Sequence, residues 1–382
     1  MLRIYSTDKK GERHQRPSKF IEDEEGHYWE ERLAYGGRRL YMPAPMWAGN
    51  LNAYLFEGPN IFIAAQTKPL CNVPALRLGC VPRDDGNLIL TTEEKDELLR
   101  TDPLAEKFIR PFIGAMEFIN RISRWCLWLQ GVEPADIRKC PRVLERIERV
   151  RDFRLSSKRE ATRKQAETPA LFSEIRYSTT DYLAIPSTSS SNRRYIPIAW
   201  LSSDVICSNA MFMCENSTLY QFGILNSSVH MAWVRKISGR LKSDYRYSNT
   251  LDYNAFPFPQ LLKVPVKPGE PPKVHPAVHE IEATAQGILN ARALYPRSSL
   301  ADLYDERTMP PELRKAHHAN DDAVMRAYGF TRRYEDENFH EEDIVIQLMY
   351  MYKELTGCEE YTAKYPNLEL WQEYYGEDEE EY

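Results

Sequence analysis

Residues 219–259, LYQFGILNSSVHMAWVRKISGRLKSDYRYSNTLDYNAFPFP, contain both kinds of element from which the fold is assembled. The first half carries apolar residues at helical spacing through Met231 and Val234 and stops at Gly239, which predicts a helix with one buried face. Beyond Gly239 that spacing is lost. Arg240, Lys242 and Arg246 are interleaved with Tyr245, Tyr247 and Tyr253, and two Phe-Pro steps close the run. Neither a period of 2 nor one of 3.6 persists, so the basic and aromatic part reads as a presented surface. Pro257 and Pro259 fix an extended exit, with Phe256 and Phe258 expected to anchor it in the core.

Working outward, DYLAIPSTSSSNRRYIPIAWL (181–201) sets a Ser- and Arg-containing loop between two apolar extended runs, a good place for recognition residues. Further upstream, LNAYLFEGPNIFIAA alternates apolar and aromatic residues and predicts short strands. Thr91 and Glu94 have the spacing of a capping box that starts a helix. Residues 104–130 are apolar enough for core, with Pro111 marking a break or the start of a new helix. Val143, Ile147, Val150 and Phe153, followed by Leu155, predict another helix. Between Arg138 and Lys164 it carries eleven Lys and Arg against four Asp and Glu. That stripe fits a phosphate backbone, and equally a solvated face laced with ion pairs at three- and four-residue spacing.

Downstream, five prolines between 265 and 276 form a stiff extended linker. Three helical segments follow, two of them with Pro near the first turn, and the chain ends in GEDEEEY. The expected organisation is α+β: a segment at 1–50, a mixed domain at 51–262, a Pro-rich linker at 263–278, a smaller all-helical C-terminal domain at 279–356 and an acidic tail at 357–382.

With 382 residues, 42% hydrophobic and 28% charged, the composition is that of a globular chain of two or three domains. No apolar run is long enough to span a bilayer and the first twenty residues lack an apolar signal core, so a cytoplasmic location with no membrane is expected. Seven cysteines without a C-x-x-C pair suit reduced thiols and no zinc. Residues 1–260 carry 37 Lys+Arg against 31 Asp+Glu, and residues 261–382 carry 13 against 25, nets of +6 and −12. Halves of opposite sign suggest different partners or mutual contact.

No glycine-rich phosphate or dinucleotide turn, nucleophile elbow or H-E-x-x-H motif is present. His317 and His318 are adjacent on a helical segment and so point apart, a poor arrangement for one metal. Asp85 with Glu93 and Lys95 formally matches a metal-nuclease pattern, but Glu93, Glu94 and Lys95 are also what a helix start requires. Nucleic acid is better supported. Ser189, Ser190, Ser191, Asn192, Arg193 and Arg194 offer short hydrogen-bonding groups and guanidinium forks for base edges. Arg235, Lys236, Arg240, Lys242 and Arg246 form a positive strip for phosphates, with Tyr245 and Tyr247 as aromatic support. Asp244 beside Lys242 also fits the closing of a turn.

The runs LNAYLFEGPNIFI, TKPLCNVP, KFIRPFIGAMEFINRISRWCLWL, RDFRLSSKREATRK, RRYIPI, HMAWVRKISGRLKSDYRYS, YNAFPFP and LADLYDERTMPPELRKAH resemble, in order, the target-recognition and C-terminal parts of MmeI-type DNA adenine methyltransferases of combined restriction and modification systems. The resemblance covers about residues 50 to 355. It implies double-stranded DNA as partner, and residues 1–50 as the connection from an upstream catalytic domain. That domain binds S-adenosylmethionine and holds the flipped adenine in an Asn-Pro-Pro-aromatic motif, which this sequence does not contain. The expectation is therefore a recognition part with no catalytic residue and no cofactor of its own, serving a separate methyltransferase chain. An assembly subunit or remnant that no longer binds DNA is the alternative.

Overall fold

A computed structural model describes residues 52–56, 58–259, 261, 274–330 and 341–360, together with the strands within 4–43. Most of the Pro-rich linker and of the acidic tail lies outside the described residues. The first unit, 1–58, has an antiparallel pair, β1 (Ile4–Thr7) with β2 (Arg13–Arg16), and an antiparallel sheet of β3 (Phe20–Glu22), β4 (Tyr28–Leu33) and β5 (Arg39–Pro43).

The second unit, 59–382, has the strands β6 (Leu76–Leu78), β7 (Ile89–Leu90), β8 (Ile109–Ile113), β9 (Trp125–Leu127), β10 (Tyr182–Pro186), β11 (Thr188–Ser189), β12 (Ala199–Leu201), β13 (Ile206–Cys207), β14 (Met211–Glu215), β15 (Gly239–Leu241) and β16 (Asp244–Arg246). They form three sheets, ordered β12-β10-β14-β6, β13-β8-β9-β7 and β11-β16-β15. The helices are α1 (Thr92–Thr101), α2 (Ala115–Asn120), α3 (Pro134–Ile137), α4 (Pro141–Leu155), α5 (Glu160–Lys164), α6 (Leu219–Leu225), α7 (Ser228–Ile237), α8 (Pro276–Ala293), α9 (Leu300–Leu303), α10 (Pro311–Tyr328) and α11 (Glu341–Thr356). An α+β architecture with a helical C-terminal region is thus what the sequence builds.

Local signals account for several of these boundaries. The Thr91 hydroxyl accepts from the Glu94 amide at 3.2 Å while the Glu94 carboxylate accepts from the Thr91 amide at 2.9 Å, completing the expected box at α1. Pro276 and Pro311 open α8 and α10, and α10 stops at Gly329 in the left-handed region, φ 75°. Pro111 does something other than start a helix. It sits inside β8, whose Phe112 amide points to β9. The amide that Pro111 lacks would face β13, where pairing begins only at Phe112, so no ladder bond is lost.

Among the described residues of 52–65 the alternation produces no strand. Ile61 and Ile63 are buried and Phe62 is exposed, as a pleated segment requires, but the polar groups find partners elsewhere. The Ala64 amide donates to the Tyr352 hydroxyl and the Gln66 amide to the Thr250 carbonyl, both at 3.0 Å. The helix expected through Met231 is two helices. Leu225 ends α6, the Asn226 side-chain amide donates back to the Phe222 carbonyl at 2.9 Å, and the Ser227 hydroxyl caps α7 by accepting from the His230 amide.

One core fills the space between β7, β8, β9 and α4, where Phe112 and Trp128 meet Phe172 edge-on at 5.8 and 5.5 Å between ring centres. The C-terminal helices pack directly on α6 and α7. Gly223 permits this, because a Cβ there would stand 2.6 Å from Ile281 Cγ2 of α8. Phe256 and Phe258 are buried, edge to face at 5.1 Å, so the FPFP exit is core, as expected. None of the seven cysteines is bonded to another.

Candidate nucleic-acid interface

The segment beyond Gly239 does have a period, over a short reach. In β16 and the residue after it, Tyr245 and Tyr247 are buried while Arg246 is exposed and Asp244 partly so, the alternation of a strand with one face inward. β15 and β16 are joined by the two residues Lys242 and Ser243, with Lys242 at φ 58°. Arg240, Lys242 and Arg246 all lie exposed on this hairpin. The Arg240 guanidinium lies 4.1 Å from the centre of the Tyr245 ring and donates to the Arg235 and Ser243 carbonyls at 2.9 and 3.3 Å. Stacking and two carbonyls hold this cation in one place.

The Ser- and Arg-containing loop is pinned to that hairpin. β11 adds to β16 with Thr188 opposite Arg246 and Ser189 opposite Tyr245. The Ser191 amide donates to Asp244 Oδ1 at 3.3 Å, and Arg235 donates to the Arg194 carbonyl at 2.8 Å. Asp244 therefore ties the loop to the hairpin, where the sequence suggested an acid closing the turn beside Lys242. The two segments singled out from sequence thus share one three-stranded sheet, although some fifty residues separate them in the chain.

Within each segment the structure sorts the residues. Asn192 is exposed and Ser190, Ser191, Arg193 and Arg194 are half-buried, whereas Ser189 is only 2% exposed, with its hydroxyl turned inward. Burial depresses the pKa of Arg193, countered by the charges of Asp244 and Asp305 beside it. Arg235 and Lys236 are ion-paired with Glu341 and Glu342 at the start of α11, at 2.6 and 2.7 Å. Burial raises the Glu341 pKa against the pull of Arg235. Two of the five cations expected on phosphate are therefore held by carboxylates. Replacing Glu341 and Glu342 by Gln is expected to tighten duplex binding and steepen its dependence on log salt by about 2, the effect of two further phosphate contacts. An unchanged slope would show that these two cations face away from the DNA.

Buried polar groups hold this sheet from behind, and of them His230, Ser238, Asp252 and Asp321 were not singled out from the sequence. Tyr247 meets His230 Nε2 at 3.0 Å, and burial drops the His230 pKa to about 3, so the imidazole is neutral. Ser238 donates to the Arg246 carbonyl at 3.0 Å and to Asp252 at 3.2 Å, and Asp252 also accepts the Ser248 amide at 2.6 Å. At the loop's exit, the Tyr195 hydroxyl donates to Asp321 at 2.6 Å and its ring stacks on His317 at 4.1 Å. His317 is core, hydrogen-bonded to Tyr304 at 2.9 Å.

Burial lifts both Asp252 and Asp321 to about 7 from the ordinary 3.8. In the unfolded chain these carboxyls lose their protons near 3.8, so between about pH 4 and 7 the native state binds more protons. Stability is expected to be highest at the acid end of that window for these two groups and to fall as pH rises towards 7. Urea titrations at several pH values should show the fall reduced by about half in Asp252→Asn, in which one of the two groups no longer titrates. A pH profile identical to wild type would remove Asp252 from this account.

Of the residues of the nuclease pattern, Glu93 lies in the first turn of α1 beside the capping Glu94, Lys95 lies 4.4 Å from the centre of the Trp125 ring, and Asp85 sits in the turn before β7 at φ 53°. Among the described residues no cluster of three metal-binding side chains exists. No helix among them is long and apolar enough to cross a membrane.

Residues 57–260 match the family described as "MmeI, target recognition domain", and residues 274–358 that described as "MmeI, C-terminal domain". The chain belongs to the MmeI family. DNA methyltransferase A of Bacillus subtilis (strain 168) is 36% identical to it over 307 residues, 80% of this chain and 33% of the relative. A solved structure of the Type IIL restriction-modification enzyme MmeI in complex with DNA superposes with a TM-score of 0.76 at 40% identity, covering 86% of this chain and 42% of that one. The chain thus spans about a third of the curated relative it matches. The sheet β11-β16-β15 falls wholly within the part matched to MmeI target recognition.

Proposed function

We propose that this chain is the DNA target-recognition part of a site-specific adenine methyltransferase. In this reading the hairpin cations Arg240, Lys242 and Arg246 hold backbone phosphates and fix the register on the duplex, while the loop at 190–194 beside them reads base edges. The observation that carries it is the joining of the polar loop and the basic hairpin in one sheet, which sets groups suited to bases next to groups suited to phosphates. Likeness to an MmeI structure in complex with DNA supports the same reading.

Catalysis is assigned to a methyltransferase domain outside these 382 residues, which binds S-adenosylmethionine and receives the flipped adenine. Three recesses among the described residues do not fit that cofactor. The recesses at Leu70–Val73 with Tyr220 and Phe258, at Arg83 with Phe153, and at Pro311 with His318 are lined by no glycine. None offers the close backbone approach of a cofactor-binding turn.

The test is fluorescence anisotropy with mixed-sequence duplex over a salt series. Micromolar or tighter binding is expected, with a log–log slope no shallower than about −3 from the hairpin alone. Binding indifferent to salt, or absent at low salt, would sink the reading in favour of an assembly subunit.

A further inference from the structure

The stripe at 138–164, which the sequence left open between phosphate contact and a solvated salt-bridged face, is resolved by the structure into two parts. Of its eleven cations, six are engaged in ion pairs or by burial and Arg163 on the turn before α5, while Arg138 at the start is exposed and outside these pairs. Lys139 pairs with Asp136 at 2.9 Å, Arg142 and Arg149 share Glu145 at 3.0 and 2.6 Å, Arg146 pairs with Glu94 at 2.9 Å, and Lys164 pairs with Glu160 at 3.0 Å. Arg154 is fully buried among backbone carbonyls. This half is the laced helix face.

The other half is different. Arg151 on the last turn of α4 and Lys158 and Arg159 in the turn before α5 are exposed, and no carboxylate among the described residues pairs with them. Glu148, Asp152, Glu160, Asp84 and Asp85 are the nearby acids; Glu160 pairs with Lys164, and none of the five forms an ion pair with the three. Two arginines brace the turn. Arg163 donates to the Ser157 and Lys158 carbonyls at 2.9 Å each, and Arg154 ties the same region to the Pro82, Arg83, Gln165, Thr168 and Leu171 carbonyls. Exposed cations normally pay an entropic cost when they are ordered on a ligand, and here the backbone that carries them is already fixed.

We infer that Arg151, Lys158 and Arg159 form a second phosphate-binding strip, which takes the backbone of the same duplex that the hairpin holds. The inference rests on the target-recognition reading and adds a second contact to it. Guanidinium and ammonium groups without neighbouring amide side chains suit phosphate oxygens and carry no base code. The strip therefore adds affinity without adding sequence preference.

The test uses the full chain and fluorescein-labelled mixed-sequence duplex, comparing Arg151→Gln/Lys158→Gln/Arg159→Gln with Lys139→Gln/Arg142→Gln/Arg149→Gln, which removes equal charge from the paired half. Far-UV circular dichroism checks that both remain folded. The first variant is expected to bind roughly 10- to 100-fold more weakly on every sequence, with a salt slope shallower by about 2 to 3. The second should stay within about threefold of wild type, because its cations are already neutralised. Equal effects of the two variants would overturn the strip, leaving only net charge. A strip variant indistinguishable from wild type, alongside a weakened hairpin variant, would overturn it while the recognition reading stands. A wild-type chain that binds no duplex would overturn both.

Discussion

Replacing Arg240, Lys242 and Arg246 together, by Gln, Asn and Gln, is expected to weaken duplex binding by about two to three orders of magnitude and to flatten the salt dependence by about 3. The size follows from three exposed cations on one hairpin, each worth roughly a factor of ten when its phosphate contact is lost. The hairpin should survive the change. Lys242 sits at φ 58°, a region that Asn tolerates better than Lys, and the inward tyrosines that fix the strand are untouched. Arg240→Lys gives a finer reading: it keeps the charge but loses the stack on Tyr245 and the fork onto two carbonyls, so it should recover only part of the affinity. The pattern across sequences matters as much as the size. Uniform weakening assigns all three to phosphate, whereas a loss confined to certain base pairs at Lys242→Asn alone would move that residue to base reading. Unchanged affinity in the triple variant would remove the hairpin from the interface.

How much of this was legible beforehand depended on the range of the interaction. The capping box at Thr91, the proline starts of α8 and α10 and the Phe-Pro anchor are local, and the residues that determine them lie within a few positions of one another. The ladder between Thr188 and Arg246 is not local, and nothing in either segment encodes the register that joins them. The glutamates on Arg235 and Lys236 were hidden for another reason. Acidic residues in the first turn of α11 are already explained by the helix dipole, so their second role leaves no separate trace.

One signal was present and outweighed. Val143, Ile147 and Val150 mark the buried stripe of α4, and its next position, four residues on, is Arg154. Hydrophobicity argued for Phe153 and Leu155 instead, yet these are 38% and 52% exposed while Arg154 is at 0%. Spacing was the better guide than residue type, because an arginine can be buried where enough acceptors surround it.

Arg154→Met is accordingly expected to destabilise the protein by about 3 to 5 kcal/mol. All five guanidinium N–H donors are used: Nε on the Arg83 carbonyl at 3.0 Å, Nη1 on Gln165 and Thr168 at 2.9 and 3.0 Å, and Nη2 on Pro82 and Leu171 at 2.9 and 2.7 Å. Burial lowers its pKa and the nearby Asp84 charge partly restores it, but a guanidinium stays protonated throughout the accessible pH range. Methionine would fill much of the volume and leave five carbonyls facing an apolar side chain, each costing on the order of 1 kcal/mol after partial relaxation. Lysine keeps the charge but has three donors and no planar fork, so Arg154→Lys should recover less than half of the loss. Chemical denaturation measures both variants. A lysine variant as stable as wild type would mean that the charge near Asp84 matters and the carbonyl network does not. A variant of normal stability that loses DNA binding would place Arg154 on phosphate, against the burial that makes it structural here.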